Sequence, residues 1–138
     1  MHSWKVGGIS YNNGLSNANV AYNYEVGDYQ NGFVEEMKIG LMYVSDYGYA
    51  ASSQYWEQSL NISDYGNNNW LYINSHEWLL SFCLDAENIA YHLHLNFGGA
   101  IYASLITNSM VIRPTFYLNS NVAYVDGDGT QSDPYRVN

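Results

Sequence analysis

Residues 88–106 read NIAYHLHLNFGGAIYASLI, and this stretch decides the fold that the sequence predicts. Its first ten residues alternate with a period of two, as the side chains of a β-strand do. One side of that strand would carry Ile89, Tyr91, Leu93 and Leu95, and the other Ala90, His92, His94 and Asn96. Gly98-Gly99 is a hairpin turn signal, and residues 100–106 would form the returning strand. The stretch therefore predicts an antiparallel hairpin with an apolar and a polar side.

Short apolar runs outside this hairpin are separated by Gly, Asn, Ser and Asp, which is typical of many short strands joined by turns. Further strands are predicted at residues 38–45, 112–118 and 121–125, with Pro114 confined to an edge or a bulge. Residues 52–60 are the best helix candidate, because a serine can cap the first turn. We expect a single α+β, mostly β domain over residues 1–138, with one or two short helices and long loops.

The composition excludes several classes of function. Only 12% of the residues are charged, against about 25% in an average domain, whereas the chain has 15 Tyr and 17 Asn. Four Lys and Arg oppose 13 Asp and Glu, and the net charge of −9 argues against binding nucleic acid or an anionic membrane surface. No apolar run approaches the roughly 18 residues of a membrane span. Cys83 has no second cysteine to pair with and is expected to be buried.

Several segments fit one known pattern: Trp4–Gly8, Glu25–Gly27, Lys38–Ala50, Asn69–Leu71, Glu77-Trp78 and Ile112–Val137. They resemble the C-terminal domains of bacterial surface and pilin-like proteins from gut Firmicutes, which are similar to the formylglycine-generating-enzyme branch of the C-type lectin fold. The resemblance covers almost the whole chain and is most specific at residues 38–50 and 112–137. It implies an irregular C-type-lectin-like fold that displays a ligand-binding face. It also implies a longer parent protein, at the cell surface or exported, because family members usually carry a further segment before Trp4.

Some members of this branch are variable proteins of diversity-generating retroelements, in which Asn codons are randomised. Every residue of the segment 80–112, except Glu87 and Met110, belongs to the set that such randomisation produces. Related domains close this segment with Gly-Val-Arg-Pro, which stands here as Val111-Ile112-Arg113-Pro114. Two interpretations stay open: a diversified binding face, or an ordinary pair of half-buried strands.

The resemblance implies that a protein or glycan ligand is bound by the segment 81–109. Tyrosine offers rigid contact area, and Asn and Ser offer adaptable hydrogen bonds. The candidate ligand-binding residues are Phe82, Asn88, Tyr91, His92, His94, Asn96, Tyr102, Ser104 and Asn108. The alternative is a pilin-like filament subunit that self-associates through the same face.

Two groups of residues are weighed as metal ligands. His92 and His94 would lie about 6.5 Å apart on one strand face, with His76, Asp85 or Glu87 as a third ligand. We expect surface histidines and no bound metal or cofactor.

The acidic loop that holds Asp126, Asp128 and Asp133 could hold calcium, but Asp-Gly pairs are equally good turn formers, and a structural turn is expected. No nucleophile-elbow sequence Gly-x-Ser-x-Gly occurs. The enzymes in the resembled branch use cysteine chemistry that the lone Cys83 cannot supply. We therefore expect no enzymatic activity, and a metal-dependent enzyme is the weakest alternative.

Two predictions concern the scaffold. Trp56, Trp70 and Trp78 are expected in the core, because tryptophan dominates burial in small domains. Arg113 is one of only four cations and is expected to form a structural ion pair with a carboxylate.

Overall fold

A three-stranded antiparallel sheet lies at the centre of the computed structural model, which describes residues 1–6, 8–26, 33–84, 90–128 and 132–138. Its strands are β4 (Glu77–Leu84), β5 (Ala90–Leu95) and β6 (Ile101–Ser104), in the order β4-β5-β6; the remaining strands, given below, form two-stranded pairs. The predicted hairpin is confirmed, with shorter strands than expected. Asn96 closes its turn, because its Oδ1 accepts hydrogen bonds from the Gly98 and Ala100 amides at 2.8 and 3.0 Å.

The turn of this hairpin is anchored in the core at Gly99. Its φ is +73°, and a Cβ at this position would lie 2.3 Å from the Cα of Gly66. The Gly99 carbonyl accepts a hydrogen bond from the buried Tyr47 hydroxyl at 2.8 Å. A left-handed conformation and a close backbone approach both require glycine here.

The other strands form antiparallel pairs around the central sheet. They are β1 (His2–Val6) with β2 (Phe33–Met37), β3 (Gly40–Leu41) with β7 (Pro114–Thr115), and β8 (Tyr124–Asp126) with β9 (Arg136–Val137). The helices are α1 (Tyr11–Gly14), α2 (Ala18–Glu25) and α3 (Val44–Tyr49), with 3₁₀ turns at Ser53–Tyr55 and Tyr65–Asn68. The class is α+β, mostly β, as predicted. No helix in these ranges is long and apolar enough to cross a membrane.

The strand predicted over residues 38–45 is mostly wrong. Only Gly40–Leu41 pairs as a strand, and the chain enters α3 at Val44. Asp46 accepts a hydrogen bond from the Tyr43 amide at 3.0 Å, and the Glu25 carboxylate accepts the Val44 and Ser45 amides at 2.9 and 2.8 Å. These bonds satisfy amides that a helix start leaves unpaired. An acid from another helix therefore fixes where α3 begins.

The helix predicted over residues 52–60 is also wrong, because only Ser53–Tyr55 forms a 3₁₀ turn. The Trp56 carbonyl accepts a hydrogen bond from the Ala18 amide at 3.1 Å, and the Leu60 amide donates to the Leu15 carbonyl at 2.9 Å. Tertiary partners thus take backbone groups that a helix would use within itself. The strand predicted over 112–118 is shortened to Pro114–Thr115, and the one predicted at 121–125 is placed at Tyr124–Asp126.

The core is built mainly from aliphatic residues and three buried tyrosines, Tyr43, Tyr47 and Tyr65. The prediction of core tryptophans is wrong for Trp56 and Trp70, which are 39% and 80% exposed. Trp4, in β1, is the fully buried tryptophan, and its ring packs against Gly40, where a Cβ would approach it to 3.0 Å. Cys83 is buried, as expected.

The C-terminal third of the chain lies outside this core. From Tyr102 onward, none of the described residues is buried. Arg113 ties this part to the sheet through Glu77, which confirms the predicted ion pair. The Trp78 amide also donates to the Val111 carbonyl at 3.0 Å. The pairing of β3 with β7 and the packing of the Tyr117 ring on Trp4, with ring centres 5.1 Å apart, hold the C-terminal third in place together with these polar links.

Candidate functional site

The alternation in β5 separates the core from an open side of the sheet. Leu93 and Leu95 are fully buried in the core, and Tyr91 packs against them from a half-buried position. His92 and His94 lie on the opposite side, as the period of two predicts. The expectation of surface histidines is wrong for His94, which is only 5% exposed because the rings of His76 and Trp78 pack against it.

Strand pairing adds residues from β4 and β6 to this open side. His92 is opposite Phe82 on one side and Ser104 on the other. His94 is likewise flanked by Trp78 and Tyr102. Paired residues of an antiparallel sheet project to the same side. We call this set the outer face; it consists of Trp78, Phe82, His92, His94, Tyr102 and Ser104.

The rings of the outer face are packed against one another. Trp78 meets His92 and His94 edge to face, with ring centres 6.1 and 5.8 Å apart. Phe82 lies tilted over His92 at 5.9 Å. Contacts of this kind fix aromatic side chains in one arrangement and add to the stability that burial supplies. The outer face is therefore preorganised rather than a set of independent surface side chains.

The two histidines of the outer face are uncharged at neutral pH. Burial lowers the pKa of His92. Burial, with a smaller repulsion from His76, lowers the pKa of His94 to about 4. Since no Lys, Arg, Asp or Glu belongs to the set, the outer face offers aromatic surface and neutral hydrogen-bonding groups.

The structure brings five of the predicted ligand-binding residues together on this face: Phe82, His92, His94, Tyr102 and Ser104. Tyr91 points to the core side, and Asn96 is occupied in the hairpin turn. Asn108 is exposed in the loop after β6. Asn88 lies outside the described residues. Within the segment 81–109, five of the predicted residues thus form one cluster, whereas Tyr91, Asn96 and Asn108 lie away from it.

Trp78 is the member of the outer face that the sequence analysis assigned to the core. It is half-buried, and its neighbours Glu77 and Leu79 are the buried ones. Trp78, Leu80 and Phe82 alternate with buried residues along β4, so a period of two was present here as well. That signal could have placed Trp78 opposite the core.

The two groups weighed as metal ligands have different surroundings. Asp85 and Glu87 lie outside the described residues, and within the described ranges no three His, Cys, Asp or Glu side chains are grouped to hold a metal ion. In the acidic loop, Arg136 forms ion pairs with Asp126 and Asp133. In the described part of that loop, the Arg136 side chain links Asp126 to Asp133.

Comparison of the chain with protein-family models, with curated proteins and with solved structures finds no match.

Proposed function

We propose that this chain is a non-enzymatic ligand-binding domain that holds its ligand on the outer face. The observation that carries the proposal is the convergence of five candidate residues with Trp78 on one side of a three-stranded sheet. The exposed Tyr102 ring and the half-buried rings of Trp78, Phe82 and His92 offer contact area at low entropic cost, and Ser104 offers a polar group for specificity. The ligand is a protein or glycan, and an uncharged face offers it aromatic and neutral hydrogen-bonding contacts.

The wider setting of the proposal is a C-type-lectin-like display domain at the cell surface, carried by a longer parent protein. It is supported by the resemblance of residues 38–50 and 112–137 and by the mostly β architecture with short antiparallel strands. The segment 80–112 holds Phe82, His92, His94, Tyr102 and Ser104 of the outer face as well as the core residues Leu93, Leu95 and Ile101, so diversification would have to be confined to its outward-facing positions. The DNA beside the gene decides this point, since it must then hold a reverse transcriptase and a near-identical template of the segment.

The binding proposal predicts loss of affinity when the rings of the outer face are removed. Binding is screened on an array of glycans and bacterial surface proteins, and the captured ligand is then titrated. Phe82→Ser and Tyr102→Ser should each weaken it at least about tenfold, as truncation of an aromatic anchor does. Trp70→Ser is the matched control, because Trp70 is 80% exposed and is not part of the outer face. Equal losses in all three variants, or no ligand on the array, would contradict the proposal.

A second candidate function is a structural subunit that self-associates. It is favoured by the many exposed apolar side chains of the C-terminal third: Leu105, Ile106, Val111, Ile112, Phe116, Tyr117, Leu118, Tyr124, Val125, Tyr135 and Val137. Exposed apolar surface beyond a few hundred Å² commonly marks an interaction site. The occupant in this case is a second copy of the chain.

The two candidates predict different behaviour in solution. A display domain stays monomeric up to about millimolar concentration. At that concentration even a weak contact between two copies, with a binding free energy of about 4 kcal/mol, would be half-populated. A filament subunit shows a sedimentation coefficient that rises with concentration. Ile112→Ser and Phe116→Ser, which change exposed side chains, should abolish that rise in the second case and have no effect in the first.

A further inference from the structure

A cavity of about 380 Å³ lies beside the first turn of α3, next to residues 113–117. Small-molecule sites usually have volumes of about 300–1,000 Å³. The outer face contributes none of the residues that line this cavity. Its apolar walls are formed by Met42, Leu71, Pro114, Phe116 and Tyr117. The cavity is therefore a separate place at which a small molecule with an apolar part fits.

The walls of this cavity are held by the core and by strand pairing. Met42 is buried, and Pro114 in β7 is paired with Leu41 in β3. The Tyr117 ring packs on the fully buried Trp4, with ring centres 5.1 Å apart. A ligand would therefore meet apolar surface that is largely in place before it binds, which lowers the entropic cost of binding.

Two charged residues of opposite sign also line the cavity. Asp46 accepts a hydrogen bond from the Tyr43 amide through Oδ2, whereas its Oδ1 accepts none from the described residues. Arg113 uses Nε and Nη2 in its bonds to Glu77 and to the Leu71 carbonyl, and its Nη1 donates to none of the described residues. Asp46 Oδ1 and Arg113 Nη1 are thus an acceptor and a donor that a ligand can use.

The two charged groups do not pair with each other. Arg113 forms its ion pair with Glu77, and the charged atoms of Arg113 and Asp46 are more than 4.0 Å apart. The Glu77 side chain is completely buried and that of Arg113 is 29% exposed, so the guanidinium is the part of that pair that a ligand meets. An ammonium and a carboxylate on one carbon atom, each forming a hydrogen bond of about 2.8 Å, bridge a gap of roughly 5–8 Å. The charges of the cavity therefore complement a zwitterion.

We infer that this cavity binds a free α-amino acid with an apolar side chain. The ammonium group of the ligand donates to Asp46 Oδ1, and its carboxylate accepts from Arg113 Nη1. Its side chain lies on the walls of the cavity, where Phe116 and Tyr117 are 61% and 52% exposed and gain from being covered. The inference is independent of the proposed ligand-binding function, because the cavity and the outer face have no residue in common.

The site is tested by calorimetric titration of the chain with L-leucine and L-phenylalanine. One amino acid per chain is expected to bind. N-acetyl-L-leucine lacks the ammonium group and L-leucine amide lacks the carboxylate, so each should bind at least about tenfold more weakly than L-leucine. This comparison uses the unchanged chain and leaves the ion pair of Arg113 with Glu77 intact.

A pair of matched variants tests the role of Asp46. Asp46→Asn should weaken binding of L-leucine at least about tenfold, because it removes the charge that faces the ammonium group. Its amide oxygen can still accept the hydrogen bond from the Tyr43 amide, and thermal unfolding without ligand verifies that the variant is folded. Asp64→Asn is the control, since Asp64 is an exposed acid outside the cavity, and it should leave the affinity unchanged.

Three results would overturn the inference. The first is no heat of binding with either amino acid up to about 10 mM. The second is equal affinity for L-leucine and N-acetyl-L-leucine, and the third is equal affinity in Asp46→Asn and Asp64→Asn. No glycan or protein ligand is present in these titrations. Failure of the amino-acid site is therefore distinguishable from failure of the proposed binding function.

Discussion

Replacing Arg113 with alanine is expected to lower the free energy of unfolding by about 3–5 kcal/mol, the cost of leaving a buried charge without its partner. Arg113 donates from Nε to Glu77 Oε1 and from Nη2 to Glu77 Oε2, both at 2.8 Å. Its Nη2 also donates to the Leu71 carbonyl at 2.7 Å. The Glu77 side chain is completely buried, so water cannot replace the lost guanidinium. The same change also releases the C-terminal third from the sheet.

Urea unfolding of this variant is compared with two others. Arg136→Ala removes the ion pairs with Asp126 and Asp133, whose side chains are about half exposed, and it should change the stability far less than Arg113→Ala does. Arg113→Met combined with Glu77→Leu removes both charges and should recover most of the stability, since an apolar pair of similar size avoids the buried charge. Ligand binding on the outer face should stay unchanged in folded Arg113→Ala. A loss below about 1 kcal/mol in Arg113→Ala would contradict the structural role given to the pair.

Glu25 is expected to make the chain less stable as the pH rises from about 4.5 to about 7. The Glu25 side chain is fully buried, and burial raises its pKa from 4.5 to about 7. Hydrogen bonds from the Val44 and Ser45 amides and from the Ser81 hydroxyl oppose this rise without cancelling it. The folded chain therefore keeps a proton on Glu25 that the unfolded chain has released. The stabilisation is complete below pH 4.5 and is lost by pH 7, and it amounts to about 3 kcal/mol.

His94 acts in the opposite direction over nearly the same range. Burial lowers the pKa of His94 to about 4. Between about pH 4 and pH 6.5, His94 is therefore protonated in the unfolded chain and neutral in the folded chain. The stability that the neutral His94 gives the folded chain is lost as the pH falls from about 6.5 to about 4. Asp46, whose pKa is raised by burial, has the same sign as Glu25. Because these groups act in opposite directions, the free energy of unfolding of the wild type varies less with pH than it would if Glu25 alone titrated.

Glu25→Gln separates these contributions. Chemical unfolding is measured from pH 4 to pH 8 in both chains, and the difference between the two profiles is the readout. That difference should change by about 3 kcal/mol across the range, with the wild type losing stability relative to the variant as the pH rises. At pH 4 Glu25→Gln is expected to be less stable than the wild type, because its amide nitrogen cannot accept a hydrogen bond as the carboxyl oxygen does, and this gap should narrow as the pH rises. Two parallel profiles would show that Glu25 does not titrate between the folded and unfolded states.

The positions of His92 and His94 on the outer face follow from the alternation of side chains along one strand. Successive side chains of a strand point to opposite sides, so His92 and His94 are separated from Leu93 and Leu95 by their order alone. The partners Phe82 and Trp78 require the register between β4 and β5, which shifts between these two residues. An irregularity of that kind leaves no mark in the order of residues. For this reason the contacts of His92 with Phe82 and Trp78 could not be predicted. Trp78 was predicted in the core from its residue type, although the period of two along β4 places it opposite the core.

The sequence by itself determined the fold class, the central hairpin, the acidic character of the chain and the need of Arg113 for a carboxylate. All four depend on local periodicity, composition or the general cost of burying a charge. The tertiary structure alone decided where α3 begins, which tryptophan is buried and which two histidines meet. Glu25 accepts hydrogen bonds from the first amides of α3, although it lies in α2. The Trp4 ring packs on Gly40, and the rings of His76 and His94 lie 5.6 Å apart. These outcomes depend on contacts between residues far apart in the chain, whose pairing is set by the packing of the whole domain.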